Sequence, residues 1–396
     1  MRGVAVSEHP RICWSEEGVD RSARWHSESA APAPSRVLIA DDRMAADAAY
    51  RLACEGSALL WRGDFQNARQ LLQALARRTD RKPRKASEVP STAFHLHRQA
   101  QAQRARTLAM LLLPLDADYR IPLRRAPDVQ QACLEAYGPG EAASVISLRE
   151  LLGLIGAHEW RKKGVEIPAL GERIHPHYGV FSPVRGEYLE LVANAPLPSL
   201  ELAFDIGTGS GVLAAVLARR GVKRIIGTDQ DPRALTCAIE NIARLGLAGQ
   251  VEVVKADLFP AGRAPLIVCN PPWLPARPNA SIESAIYDPD SRMLYGFLGG
   301  LAAHLEPNGE GWLILSDLAE HLGLRTRAEL LAAVDRAGLK IVARSDIRAQ
   351  HPRASDATDP LHRARAAELT SLWRLTPKPE SMPKPLDPFN QAKHEQ

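Results

Sequence analysis

A chain of 396 residues with 45% hydrophobic and 24% charged side chains can bury two cores, which excludes fibrous and wholly disordered classes. A formal net charge of +4 permits an anionic partner without demanding one, as a dedicated nucleic-acid binder is usually more lopsided. Five scattered cysteines with no CxxC pair argue against a disulfide framework or zinc site; with no signal-peptide core and no apolar run of membrane-spanning length, the sequence predicts a cytoplasmic protein.

Residues 1–36, ending in "SESAAPAPS", read as a disordered leader. Residues 37–150 are rich in Ala, Leu, Gln and Arg and read as a mainly helical N-terminal domain that selects the substrate. Within it "AADAAYRLACEGSALLWRG" and "NARQLLQALARR" carry helical spacing, with Ala68, Leu71, Leu72 and Leu75 at i, i+3, i+4, i+7. "FHLHRQAQAQRARTLAMLLL" reads as a helix that begins basic and ends apolar. Its basic part is a solvated face or, alternatively, a surface for RNA or an acidic protein.

Residues 151–185 read as a connector. Residues 186–376 alternate apolar runs ("LAFDIG", "RIIGTD", "VEVVKAD", "PLIVCN", "GWLILSD") with helical patterns ("GVLAAVLARRG", "DPRALTCAIENIARLG", "SRMLYGFLGGLAAHLEP", "RTRAELLAAVDRAG"). Unbroken apolar strands between helices predict an α/β fold, a parallel sheet covered on both faces. "LKIVARSDI" and "ELTSLWRL" read as an antiparallel hairpin at its edge. Residues 377–396, "PKPESMPKPLDPFNQAKHEQ", read as a disordered Pro-rich tail.

In such a sheet, ligands bind at the carboxyl ends of the strands. Gly207, Gly209 and Gly211 follow the first strand, where glycine permits positive φ and lets the backbone approach a ligand. The next helix offers unpaired N–H groups and a dipole suited to a negative group. Asp229, at the end of the second strand, lies 22 residues beyond Gly207 (229 − 207), a spacing at which a carboxylate meets a ribose diol. Asp231 and Pro232 are an N-cap and a first-turn proline.

The spacing is G-x-G-x-G, not the dinucleotide G-x-G-x-x-G. "FDIGTGSG", which contains Asp205, Gly207, Thr208, Gly209 and Gly211, resembles the first motif of the class I S-adenosylmethionine-dependent methyltransferases. The resemblance implies a seven-stranded Rossmann-like sheet and S-adenosylmethionine as cofactor. It also implies that Asp229 holds the ribose hydroxyls and that Asp257, in "KADLF", lies beside the adenine.

The fourth strand ends in Asn270-Pro271-Pro272-Trp273. Tandem prolines fix φ and remove two donors while leaving their carbonyls as acceptors; the Asn amide adds one further acceptor and two donors. Rigid acceptors beside an aromatic plane suit an NH₂ group on a flat system. Asn270 and the Pro271 carbonyl then accept its hydrogens, Trp273 stacks, and the enzyme contributes positioning without a covalent nucleophile or metal.

Asn-Pro-Pro-aromatic marks the amino-group methyltransferases, and the layout resembles the HemK-type release-factor glutamine methyltransferases over roughly residues 180–376. Two departures stand out. Trp273 replaces the Tyr usual in the glutamine enzymes, and "GVFS" at residues 179–182 is closer to the guanine-amine enzymes of ribosomal RNA, which tend to carry Phe after the prolines. A protein glutamine amide is the favoured acceptor, with a guanine or adenine amine of RNA or DNA as alternative. A nicotinamide oxidoreductase and a non-catalytic binding module are the readings from other classes. By resemblance Phe181 and Pro183 line the cofactor pocket; Pro272 and Tyr287 complete the candidate substrate contacts. Asp288 and Asp290, in "DPDS", either cover the substrate or cap the next helix. Cys269 reads as a buried strand residue, and His175 and His177 lack a third ligand for a metal.

Overall fold

The computed structural model describes residues 10–81, 87–184, 186–278, 283, 285–350 and 355–379. The chain divides into two units, one of residues up to 184 with 277–287 and 351–367, the other of residues 185–276, 288–350 and from 368 onward.

The first unit is a mixed α/β structure, which corrects the helical expectation for residues 37–150. Its elements are β1 (Arg11–Glu16), β2 (Val19–His26), β3 (Val37–Ala40), α1 (Ala46–Cys54), β4 (Ala58–Trp61), α2 (Phe65–Asp80), α3 (Pro90–Ala109), β5 (Leu111–Leu115), α4 (Gln130–Tyr137), β6 (Ser144–Ser147) and α5 (Leu148–Lys163). Among the described residues the strands form a six-stranded sheet ordered β1-β2-β6-β5-β4-β3. β3, β4 and β5 are parallel, and β6 runs antiparallel to β5.

Helical periodicity is realised in α2, which Asp64 caps by accepting from the Gln66 N–H, and whose Ala68, Leu71, Leu72 and Leu75 enter the core. The leader is corrected too: residues 11–26 are the β1–β2 hairpin, and β2 pairs with β6. The expected connector is likewise structured. α5 buries Leu148, Leu151 and Leu154, and β7 (Val165–Ile167) pairs antiparallel with β8 (Glu172–Ile174). Two basic side chains of α3 are engaged locally: Arg104 pairs with Asp80 and Arg106 donates to Gln103.

The second unit contains α6 (Glu187–Asn194), β9 (Leu202–Ile206), α7 (Val212–Arg219), β10 (Arg224–Asp229), α8 (Pro232–Arg244), β11 (Val251–Lys255) and β12 (Ala264–Cys269). α9 (Arg292–His304), β13 (Leu305–Ser316), α10 (Leu318–His321), α11 (Arg327–Arg336), β14 (Leu339–Arg348) and β15 (Leu369–Pro377) complete it. Among the described residues the sheet has seven strands in the order β11-β10-β9-β12-β13-β15-β14. The first five are parallel, and β15 is antiparallel to both its neighbours. Leu266 to Cys269 of β12 are wholly buried, the expected state of a strand covered on both faces. Asp231 caps α8, with Pro232 in its first turn. Of the expected tail, Pro377 closes β15 and residues 380–396 lie outside the described residues.

Candidate active site

Strand register assembles the site. Ile206 of β9 pairs with Thr228 of β10 on one side and with Cys269 of β12 on the other. The residues that follow, Gly207, Asp229 and Asn270, therefore stand side by side at the carboxyl ends of three adjacent strands. Two inter-strand spacings make this row about 10 Å long. The strand order also reverses between β9 and β12, which opens the crevice where ligands bind in doubly wound sheets.

The glycine turn is built for close approach. Gly207, Gly209 and Gly211 have φ of 71°, 56° and 80°, all in the left-handed region. A β-carbon on Gly207 would collide with Met293 Cε, and one on Gly211 would lie 3.3 Å from Ala238 Cα. One on Gly209 would meet nothing nearer than the Gly207 carbonyl oxygen at 3.9 Å, so the turn is open there.

Asp205 lies beneath the turn, wholly buried. Its Oδ2 accepts from Thr208 Oγ1 at 2.7 Å and from the Ala214 N–H at 3.1 Å. Its Oδ1 has no hydrogen-bond partner. Burial pushes this carboxyl up to about 6, against the lowering effect of the Thr208 and Ala214 bonds and with a further rise from the Asp229 charge. The Thr208 N–H donates to the Thr228 carbonyl at 2.8 Å, tying the turn to β10.

Asp229 accepts from the Gly209 N–H and the Asp231 N–H, each at 3.0 Å, so its carboxylate is fixed against the turn. Burial raises its pKa, and those backbone bonds oppose the rise. Asp257 is exposed; Gln230 Nε2 donates to it, and Arg292 stands 3.5 Å away.

At the motif, Trp273 Nε1 donates to Asn270 Oδ1 at 2.9 Å. The indole is half-buried against the sheet's core, so it holds the Asn270 amide in one orientation. Pro271 is buried and Pro272 half-buried. Cys269 is wholly buried in that core, and burial raises its thiol pKa well above the ordinary value. Asp288 caps α9, accepting from the Met293 and Leu294 N–H groups at 3.0 and 3.2 Å.

The second unit thus gathers Asp205, Gly207, Thr208, Gly209, Gly211, Asp229 and Asn270, with Asp257 at the end of the neighbouring β11. Phe181 and Tyr287 belong to the first unit. Phe181 is half-buried, and the Tyr287 ring lies 3.9 Å below the Arg98 guanidinium. His175 Nδ1 is bonded to the Arg161 carbonyl at 2.6 Å. Two features escaped the sequence: Met293 over Gly207, and the indole-to-Asn270 bond. Only the Trp at the fourth motif position hinted at the second.

The family profile described as ribosomal protein L11 methyltransferase (PrmA) matches residues 189–271, which contain the turn and the start of the motif. A ribosomal protein L11 methyltransferase of Pelotomaculum thermopropionicum is 48% identical over 69 residues, 17% of this chain and 22% of that protein. A release factor glutamine methyltransferase of Cereibacter sphaeroides is 34% identical over 139 residues, 32% of this chain and 50% of that protein. The second unit resembles the class I S-adenosylmethionine-dependent methyltransferases.

A Methanocaldococcus jannaschii protein named for N5-glutamine methylation is 30% identical over 122 residues, 30% of this chain and 59% of its own length. The chain thus spans between 22% and 59% of the length of these relatives. A solved ribosomal protein L11 methylase from Lactobacillus delbrueckii subsp. bulgaricus is 19% identical with a TM-score of 0.35, over 49% of this chain and 79% of that one. The sheet order, and not that superposition, carries the fold. The turn is compatible with such a cofactor: the space above Gly209 is open, and a fixed carboxylate stands one strand away. Among the described residues, no group of three His, Cys, Asp or Glu could hold a metal ion, and no helix is long and apolar enough to cross a membrane.

Proposed function

We propose that the chain is an S-adenosylmethionine-dependent N-methyltransferase whose acceptor is a planar NH₂ group, the side-chain amide of a protein glutamine. The row formed by Asp229, Gly207 and Asn270 carries the reading. It sets a ribose-binding carboxylate and a cofactor turn beside a rigid acceptor of hydrogen bonds. Gly207, Thr208, Gly209 and Gly211 shape the cofactor's bed, with Asp205 beneath it; Asp229 takes its ribose hydroxyls and Asp257 borders its base. When bound, the cofactor supplies a methyl group on a positively charged sulfur.

The chain's own residues orient the nitrogen. A carbonyl oxygen has two lone pairs, and the indole N–H of Trp273 uses one on Asn270 Oδ1. The other accepts one hydrogen of the target NH₂, and the Pro271 carbonyl accepts the second. Both bonds draw the N–H hydrogens aside and leave the nitrogen lone pair facing the electrophile, with Trp273 and Pro272 against the planar group. Positioning and desolvation then supply the rate.

Protein is favoured over nucleic acid by the modest charge of +4 and by relatives named for glutamine and ribosomal-protein methylation. Incubation with labelled cofactor and cell extract tests the proposal. Label should enter material removed by protease and not by RNase, and Asn270→Ala should abolish it. Label lost to RNase would assign the acceptor to a nucleobase.

A further inference from the structure

Arg325 lies between α10 and α11, in the segment that follows β13, the strand paired with the motif strand β12. It is 4% exposed, and its Nε and Nη2 are buried without a hydrogen-bond partner. Those two nitrogens form the side-on fork of a guanidinium, the edge that grips a carboxylate with two parallel bonds. The chain uses this edge repeatedly. Arg374 holds Glu310 through Nε and Nη2 at 2.7 and 2.6 Å, and Arg62 holds Glu16 at 2.8 and 2.7 Å. Among the described residues, Arg325 is the one arginine with both fork nitrogens buried and unpartnered. Burial lowers its pKa, against the raising effect of the Tyr295, Glu320, Asp288 and Glu329 charges.

Among the described residues, the acids that act electrostatically on Arg325 are engaged elsewhere. The charged and titratable groups nearest Arg325 are Tyr295, Glu320, Asp288 and Glu329. Glu320 pairs with Arg327 at 2.8 Å, Asp288 caps α9, and Glu329 is locked in a capping box with Thr326. Asp288, whose charge acts on Arg325, is joined to the motif segment, since its N–H donates to the carbonyl of Leu274, the residue after Trp273, at 2.8 Å.

We infer that the Arg325 fork receives a carboxylate of the methyl acceptor, an Asp or Glu side chain of the protein that bears the target amide. The inference rests on the protein-amide reading above. A side-chain carboxylate on a short stem can enter a buried fork, whereas a backbone phosphate of a polynucleotide brings two sugars with it.

The test uses the full chain with S-adenosylhomocysteine and short peptides that carry a central Gln and a single Glu stepped through the other positions. An uncharged peptide is the reference, and binding is read by fluorescence anisotropy. One or more Glu positions should bind about tenfold tighter than the reference. Arg325→Gln and Arg325→Lys should both lose that gain, the lysine because it keeps the charge without the fork. The melting-temperature rise given by S-adenosylhomocysteine should persist in Arg325→Lys, which establishes that the variant is folded.

A gain that survives both substitutions, or a set with no gain at any position, overturns the inference. So does loss of the S-adenosylhomocysteine response in Arg325→Lys, which would give the fork to the cofactor. Arg325-dependent binding of inorganic phosphate or an oligoribonucleotide in place of the Glu peptides would likewise refute it. Methyl incorporation is followed in parallel: peptides that bind through Arg325 yet take up no label refute the glutamine reading and leave the carboxylate receptor standing.

Discussion

Asn270 and Trp273 define one chemical unit, because the indole N–H fixes which way the Asn amide points. Trp273→Phe keeps an aromatic plane and deletes that donor. A neutral hydrogen bond is worth about 1 kcal/mol, so kcat should fall about fivefold with the melting temperature nearly unchanged. A Phe variant with full kcat would reduce Trp273 to a ring. Asp205 offers a second test, in pH. Burial holds its carboxyl at about 6 instead of the ordinary 3.8, so folding favours the protonated form. That stabilisation is fully present below pH 3.8 and is lost as pH rises through about 6, a swing on the order of 3 kcal/mol. Asp205→Asn removes the charge, so its melting temperature should exceed the parent's at pH 8, with the gap closing towards pH 4. A gap that ignored pH would mean that the carboxyl titrates normally.

At the scale of elements, the three glycines of the turn serve different ends. Gly211 starts α7 with φ of 80° and packs against the Ala238 backbone, whereas Gly209 faces open space. Either Ala substitution meets the left-handed penalty of about 1–2 kcal/mol. Gly211→Ala adds a clash with α8 and should lower the melting temperature further. Gly209→Ala should instead weaken S-adenosylhomocysteine binding, read by calorimetry, more than it lowers stability. Equal effects on both readouts at both positions would remove the distinction.

The turn, Asp229 and the motif were legible in the sequence because each is a short run with a fixed covalent spacing at a strand end. β4 and β5 were not. "ALLW" and "LLLPL" are four- and five-residue apolar runs set directly against helices, and at that length periodicity cannot separate a buried strand from the end of a helix. Gly56, with φ of 84°, breaks what reads as one helical stretch into α1 and β4; a glycine is a helix-stop signal, but the apolar residues around it keep a helical spacing that hides the break.

Across the whole molecule, the N-terminal unit was misread for the same reason, repeated along the sheet. Its strands are short, and β1 and β2 alternate polar with apolar residues so thinly that only Ile12, Ala23 and Trp25 mark the buried face. Those residues pack with Ala58 and Leu60 of β4, Leu112 of β5 and Val145 of β6, so the first strands extend the sheet and share the core on one of its faces. Deleting residues 1–35 should therefore be far from neutral. Ile12 is fully buried and Trp25 is 7% exposed, and burial of two such side chains contributes about 5 kcal/mol, comparable to a domain's entire stability. The truncated chain also leaves β6 with an open edge, a template for pairing between molecules. Thermal melts followed by circular dichroism should show a lower first transition for the truncated chain than for the full chain, with aggregation on heating. Superimposable melts would mean that these strands add nothing, as the leader reading held.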